Sequence, residues 1–343
     1  IAYDGFLEVD GRPVLITRIH LEEDTGKLIH PDGKQYSLAD YNRAGTPLIE
    51  LVTEPVIKDA ATARKFAQSY QQILRFLNIS NADMEKGEMR CEANISLQEP
   101  GKWQYTNGQI LPLDDYKLNP KVELKNINSF KYMEKAITYE IKRQSQTLLQ
   151  GEKLAQETRG WNNDKGITFS QRTKETSADY RYFPEPDIPP LKISQAWIDE
   201  IKQQMTELPA QKIKRFKEEY LFSDSEAEIL AGDKALADYT EKVISELRAW
   251  IESTGDDWPR QKHKLAKATA NWLINELFKH LKTDGLEINR LKITPENFAE
   301  LICLIYQEKI NSSAAQTILE KMFKQGGDPT GIMADLGLER LDD

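Results

Sequence analysis

Cysteine is scarce in this chain of 343 residues, and long apolar runs are missing altogether. Two cysteines, Cys91 and Cys303, are too few for a disulfide framework or a thiolate metal site, which fits a reducing cytosol. No stretch approaches the roughly 18 apolar residues of a membrane span, and no basic-then-apolar leader is present. There is no GxxxxGK[ST] loop and no GxGxxG after a strand, so a conventional phosphate-binding loop is excluded. The four histidines, His20, His30, His263 and His280, show neither HExxH nor any other paired metal spacing. No GxSxG elbow exists, and Cys303 sits in a helical stripe without an evident base, so acyl-enzyme chemistry has little support. The net charge is −9, and the acidic excess is spread over both halves. Any nucleic-acid contact must therefore use a local patch.

Against these absences stand four short segments that set carboxylates in strand-like, otherwise apolar surroundings. They are IHLEED (19–24), TPLIELVTEP (46–55), MRCEANIS (89–96) and KVELKNINSF (121–130). Alternation in the third puts Arg90, Glu92, Asn94 and Ser96 on one face and Cys91, Ala93, Ile95 and Leu97 on the other. In the fourth, Glu123 and Lys125 oppose Val122 and Leu124. A sheet with an apolar back and a front of Glu, Arg, Lys and Asn can hold a hard cation and a phosphate, because carboxylates ligate Mg²⁺ and cationic side chains take phosphate oxygens. An antiparallel sheet with one wet face also alternates, so the pattern alone names no reaction. His20, beside acidic residues, is either a ligand or a structural strand residue.

The organisation is two-part. Strands are expected over 1–30, with a turn at Asp10-Gly11, and over 46–53, 89–97, 121–127 and 154–175. Residues 98–120 look like a long hairpin connection. Helical periodicity begins after Asp59, a candidate N-cap, and again near Ser129. The first half thus reads as α+β with an antiparallel sheet. The stretch DYRYFPEPDIPPL (179–191) is stiff and extended because of its four prolines, and serves as a linker or a docked strap. From about 193 the pattern is helical, with Ala266, Ala270, Leu273, Leu277 and Leu281 as a buried stripe, Thr294-Pro295 as a helix start and Ser312 as a further cap. Lys212, Lys214, Arg215 and Lys217 form the densest basic cluster, a solvated helix face or a phosphate patch.

At this point the motifs support a family assignment. ITRIHLEEDTGKLIH (16–30), YSLADYNRAGTPLIELVTEP (36–55), MEKGEMRCEANISL (84–97), VELKNINSF (122–130), QETRGW (156–161) and SADYRYFPEPDIPPL (177–191) occur in order. Together they make the chain resemble the B subunit of the bacterial and organellar tRNA-dependent amidotransferases. The likeness is strongest over 14–192. It implies a cradle-like α+β catalytic domain over 1–192 and a helical tRNA-contacting domain over 193–343. It implies ATP as co-substrate, Mg²⁺ as cofactor, and phosphorylation of the side-chain carboxylate of Glu-tRNA(Gln) or Asp-tRNA(Asn), followed by attack of ammonia. The implied partners are an amidase A subunit that releases that ammonia, a small bridging C subunit and the misacylated tRNA, in a cytoplasm or an organelle matrix and with no membrane.

By that resemblance Glu23 and Glu50 are metal ligands sharing one divalent ion. Glu92, Glu123 and Lys125 are the catalytic candidates, and Arg43, Arg90, Asn94 and Asn126 bind ATP or the aminoacyl group. His20 and Glu22 lie on the other face of their strand from Glu23. Three departures stand out. Glu92 occupies a position where the family usually has Asp, and Gly87-Glu88 replaces Gly-Ser. A strand bearing a Glu and a His that complete the metal site is expected upstream of Ile1, and a further tail after Asp343. The competing readings are an ATP-dependent ligase of a free carboxylic acid, against which the helical half argues, and a noncatalytic RNA scaffold, which needs no carboxylates in apolar strands.

Overall fold

Apolar and polar residues alternate most regularly around residues 91–95 and 122–125, and the sheet that holds the candidate site forms there. The computed structural model describes residues 2–31, 33–173, 189–190 and 192–339. The expected strap over 179–191 falls outside them, apart from Pro189 and Pro190. Two compact units are present, Ile1–Gln71 with Ser80–Pro190, and Gln72–Ile79 with Leu191–Asp343.

The first unit opens with strands β1 (Ala2–Val9) and β2 (Arg12–Glu23). They are joined by Asp10-Gly11, whose φ angles of 50° and 72° are those of a tight hairpin turn. A small ladder of β3 (Lys27–Ile29) and β4 (Leu38–Asp40) follows. β5 (Pro47–Thr53) then pairs antiparallel with β2, giving the order β1-β2-β5. Helix α1 (Ala60–Phe76) starts where expected, with Asp59 Oδ1 accepting from the Thr62 amide at 2.8 Å.

The second sheet has the order β11-β10-β9-β6. Its strands are β6 (Cys91–Ile95), β9 (Val122–Ile127), β10 (Glu157–Asn162) and β11 (Ile167–Thr173). Between β6 and β9 lies a hairpin, β7 (Trp103–Thr106) and β8 (Gln109–Pro112), folded at Asn107-Gly108. Helix α2 (Phe130–Leu149) is capped by Ser129, which accepts from the Tyr132 amide at 3.1 Å.

The fold class is α+β as expected, with one correction to the sheet. β9 and β10 run parallel, while β6–β9 and β10–β11 are antiparallel. The cause is α2, because a helix of 20 residues carries the chain back the length of the sheet, and the returning strand must then run in the original direction. Val122 and Leu124 are buried against Met133, Ala136 and Ile137 of α2, so the apolar back of the sheet faces the helix and its polar residues stand on the opposite face.

The second unit is helical. Its members are α3 (Gln195–Gln204), α4 (Pro209–Tyr220), α5 (Asp224–Ala231), α6 (Lys234–Ser253), α7 (Trp258–Asn271), α8 (Phe278–Asp284), α9 (Pro295–Tyr306), α10 (Ser312–Gln325) and α11 (Pro329–Leu336). A widened π-type stretch, Trp272–Leu277, joins α7 to α8. The stripe Ala266, Ala270, Leu273, Leu277 and Leu281 is buried as expected. Asn311, not Ser312, caps α10, its side chain accepting from the Ala314 amide at 2.9 Å. Among the described residues no helix is long and apolar enough to cross a membrane.

Both thiols are buried. Burial pushes Cys91 up to about 11, and burial with the nearby Glu300 charge pushes Cys303 up to about 12. Since the thiolate is the nucleophile, neither should alkylate in the folded protein at pH 7.5. Iodoacetamide labelling read by mass spectrometry is expected to show two modified cysteines only after denaturation. Rapid native labelling of Cys91 would mean that the sheet-helix core opens readily.

Candidate active site

The front of the second sheet is assembled by register. Asn94 and Thr158 both oppose Glu123, and Gly160 opposes Lys125. Residues opposed across a ladder share a face, so Asn94, Glu123 and Thr158 form one row. Glu92, Lys125 and Gly160 form the next. Lys125 Nζ lies 3.1 Å from Glu92 Oε1 and 3.6 Å from Glu123 Oε1. Thr158 Oγ1 donates to Glu123 Oε2 at 2.9 Å. The structure therefore brings the three catalytic candidates together.

Burial works against the Lys125 charge, but the hydrogen bond and charge of Glu92, and then those of Glu123, outweigh it and hold the ammonium above its ordinary value. Lys125 is thus a permanent cation at neutral pH, suited to an anionic ligand and not to proton abstraction.

Asn126 departs from simple alternation. The pairs Ala93–Leu124 and Cys91–Ile127 differ by one residue in register, so Lys125 and Asn126 together oppose Glu92. Asn126 is the extra residue of this bulge, at φ 60°, a left-handed conformation that asparagine accepts more readily than most side chains. The bulge returns Ile127 to the buried side beside Cys91 and leaves Asn126 exposed at the end of the front face. Asn94 is also exposed, in the Glu123 row.

The arginines converge elsewhere. Arg43 Nε lies 3.2 Å and an Arg90 terminal nitrogen 3.8 Å from Asp24 Oδ2. Arg43 also donates to the Gly87 carbonyl at 3.1 Å. Asp24 is buried, and its Oδ2 has ion-pair contacts but no aligned hydrogen bond. Its Oδ1 accepts from the Gly26 amide at 3.0 Å, and its backbone joins Thr46 and Gly45 at 2.9 and 2.8 Å. Asp24 was missed by sequence reasoning; the aspartate-to-glycine turn Asp24-Thr25-Gly26 is the local signal for it. It fixes the loops that carry Arg43 and Arg90.

The expected pairing of Glu23 with Glu50 on one ion is not what the ladder builds. Glu23 opposes Pro47, and Glu50 opposes His20 three positions further along. An odd offset places them on opposite faces of the β2–β5 pair, so one ion does not bridge both. Glu50 instead lies 3.5 Å from Arg18. His20, Glu22 and Glu50 share the other face, yet among the described residues no cluster of three or more acidic, histidine or cysteine side chains could hold a metal. Glu92 and Glu123, which both contact Lys125 Nζ, are carboxylates that could help to hold Mg²⁺ together with phosphate oxygens.

At the far end of β9, a cavity of ≈ 920 Å³ opens at the start of α2, lined by Asn128, Ser129, Lys86, Lys131, Lys135 and Asn163 among others.

In the helical unit the basic cluster is internally neutralised. Arg215 contacts Glu207, Glu219 and Glu241, and buried Lys212 lies 2.7 Å from Glu241. Lys217 meets Asp224 at 2.5 Å, and Lys214 faces Glu218 at 3.9 Å. The hydrogen bonds that Arg215 donates to Glu207 and Glu241, with the charges of those carboxylates, hold its guanidinium well above its usual value against burial. Lys212 and Arg215 are therefore committed to ion pairs between helices and are not a ready phosphate patch.

Comparison with known proteins places these features in context. Residues 1–199 match the family model described as the GatB/GatE catalytic domain, and residues 260–343 match the one described as the GatB domain. The chain is 40% identical over 347 residues to the B subunit of the aspartyl/glutamyl-tRNA(Asn/Gln) amidotransferase of Persephonella marina, covering 100% of this chain and 67% of that protein. The proteins of the same name are 38% identical over 351 residues in Thermotoga maritima and 41% over 347 in Thermosipho melanesiensis, again with 100% and 67% covered.

Proposed function

The chain belongs to the family of tRNA-dependent amidotransferase B subunits, and from that premise we propose that the front of its mixed sheet is where the carboxylate of a misacylated tRNA is activated. The family uses ATP to amidate Glu-tRNA(Gln) and Asp-tRNA(Asn), within a multi-subunit enzyme. The observation that carries the reading is the Glu92–Lys125–Glu123 cluster on one face of the sheet.

A carboxylate resists attack by ammonia because oxide is a poor leaving group. Transfer of the γ-phosphoryl group of ATP to the side-chain oxygen forms a C–O–P link and releases ADP. Ammonia then forms the C–N bond, and phosphate leaves with the C–O bond's electron pair. Such a transfer needs positioning and charge neutralisation more than a protein nucleophile. Lys125 supplies a fixed cation for phosphoryl oxygens. Glu92 and Glu123 hold Lys125 in place and are the carboxylates that would hold Mg²⁺. The ion, when bound, neutralises charge between the phosphates. Asn94 and Asn126 sit on the same face or at its end, where they can donate to the aminoacyl group or to ATP. Arg43 and Arg90 shape the neighbouring loops through Asp24. The lysines around the cavity at the start of α2 suit the remaining negative charge of ATP or RNA.

The partners we propose are an amidase subunit that releases ammonia from glutamine, a small bridging subunit and the misacylated tRNA, with the helical unit contacting the tRNA. The test combines the full-length chain with its amidase partner, ATP, glutamine and misacylated tRNA, and follows ADP. Release that requires the tRNA supports the reading. Release with free glutamate moves the function to a small-acid ligase, and no release at all leaves only a scaffold.

Because the Lys212–Lys217 cluster is already paired, Lys212→Met and Arg215→Leu are expected to lower the melting temperature of the helical unit. They should leave the slope of log affinity for tRNA against log salt unchanged to within about one phosphate contact. A slope that falls by about one per substitution would restore these residues as phosphate ligands.

A further inference from the structure

We propose that Thr158 is a positioning residue for Glu123, fixed in turn by a buried ion cluster behind the sheet; this rests on the reading of the front face given above. Thr158 opposes Glu123 in the parallel β9–β10 ladder and is 3% exposed. Water therefore does not compete for its hydroxyl, which donates to Glu123 Oε2 at 2.9 Å. That bond distinguishes the two carboxylate oxygens. Oε2 is turned toward the Thr158 hydroxyl, and Oε1 is turned toward Lys125 Nζ at 3.6 Å. A β-branched side chain is stiff about its first torsion, so the donor itself has little freedom.

The next residue anchors the strand from behind. Arg159 donates from Nε to Thr168 Oγ1 at 2.9 Å and from one terminal nitrogen to the Thr168 carbonyl at 2.9 Å. Its other terminal nitrogen donates to Glu157 Oε1 at 2.7 Å. Glu140, fully buried on α2, lies 3.5 Å from Arg159 Nε and accepts from Arg143, Gln144 and Thr168. The pairing with β11 slips opposite this dipeptide, where Gln171 is the extra residue of β11, while Thr158 and Arg159 stay in unbroken register with β9. One residue of the pair is locked into the helix-side network while its neighbour holds the front carboxylate. Partners that orient a functional side chain in this way commonly contribute about 10–100-fold to activity or affinity.

The alternative is that Glu123 merely satisfies a buried threonine. The two are separated with the full-length chain assembled with its partners, by following ADP release with misacylated tRNA and by calorimetry of ATP binding in the presence of Mg²⁺. Thr158→Val replaces the hydroxyl with a methyl group of similar size. It is expected to lower kcat about 10–100-fold, weaken ATP binding and leave the KM for tRNA unchanged. Thr158→Ser, which keeps the donor, should return to within about threefold of the parent. In a Glu123→Gln background, Thr158→Val should cost no further activity, because a positioning group is idle in catalysis once the charge it orients has been removed. Where the valine variant does not fold, Thr158→Ala carries the same expectations. Full activity and ATP affinity in Thr158→Val, beside a dead Glu123→Gln, would overturn the positioning role and leave the site reading standing. Losses that simply add across the two positions would overturn it as well. Full activity in Glu123→Gln would remove the site reading and the inference together.

Discussion

Glu123→Gln is expected to lower tRNA-dependent ADP formation by about 10²–10³-fold, because it removes an anion that fixes Lys125 and would hold Mg²⁺, and the loss of one preorganised electrostatic contact commonly costs that much. The substitution keeps size and one acceptor oxygen, so Thr158 retains a partner and the fold is little disturbed. What disappears is the negative charge that sits 3.6 Å from Lys125 Nζ and that would hold Mg²⁺ on this face. The effect should fall on kcat and on ATP binding, since the helical unit is untouched. Equilibrium binding of tRNA by filter retention is the control, and it should stay within about twofold. A large loss of tRNA affinity would show that Glu123 contributes to RNA binding, against the division of labour proposed here.

The sequence made this carboxylate legible, but not for every reason that matters. Alternation over 91–95 and 122–125 put Glu92, Asn94, Glu123 and Lys125 on one side, and the ladder keeps them there. Alternation failed at Asn126, where the polar residue falls on the buried parity and Ile127 follows it. That break is the signal of a bulge, readable once it is noticed. The hairpin at Asn107-Gly108 lies inside the stretch 98–120 that reads as a long hairpin connection, and its dipeptide is the one most favoured at two-residue turns. The parallel β9–β10 pairing was concealed by treating strands and helices as separate elements, although a strand that runs straight into a helix commonly belongs to a crossover unit.

The errors at Glu23 and Glu50 are of another kind. Both lie on strands, and those strands do pair, but which residue opposes which is set by the length of the loop between them, which puts Pro47 opposite Glu23 and Glu50 opposite His20 in one unbroken register. One position of slip exchanges the faces of all later residues, so no reading of either strand alone decides whether two carboxylates meet. Asp24 signals only its own turn, because its burial and its two arginine neighbours are tertiary facts. The Lys212–Lys217 cluster shows the same limit. Its charges are evident in sequence, but Glu241, which neutralises two of them, lies on another helix.

The Glu140 cluster was not foreseen at all, and it carries the largest expected effect on stability. Glu140 is fully buried at the centre of α2, with Arg143, Gln144, Arg159 and Thr168 around it. Removing one member of a buried ion cluster leaves the others desolvated without their partner, which costs about 3–5 kcal/mol. Glu140→Leu should sit near the low end of that range. Arg143 reaches water, and Glu157 still receives Arg159 at 2.7 Å and faces Arg143 at 3.7 Å. The expected signs are a lower denaturant midpoint for the first unit and faster hydrogen exchange at the amides of β10. The cluster also sets an acid limit. Burial acts to raise the Glu157 carboxyl, but the Ser170 hydroxyl and the Arg159 and Arg143 guanidiniums outweigh it and hold it below the ordinary glutamate value. A depressed folded pKa means that this stabilisation is fully present above the unfolded value, about 4.3, and is lost as pH falls through the folded one. Stability measured from pH 6 down to pH 3 should therefore fall less steeply in Glu157→Gln than in the parent. Parallel slopes for the two proteins, or a Glu140→Leu variant with unchanged midpoint and exchange, would mean that the sheet does not depend on the charges packed behind it.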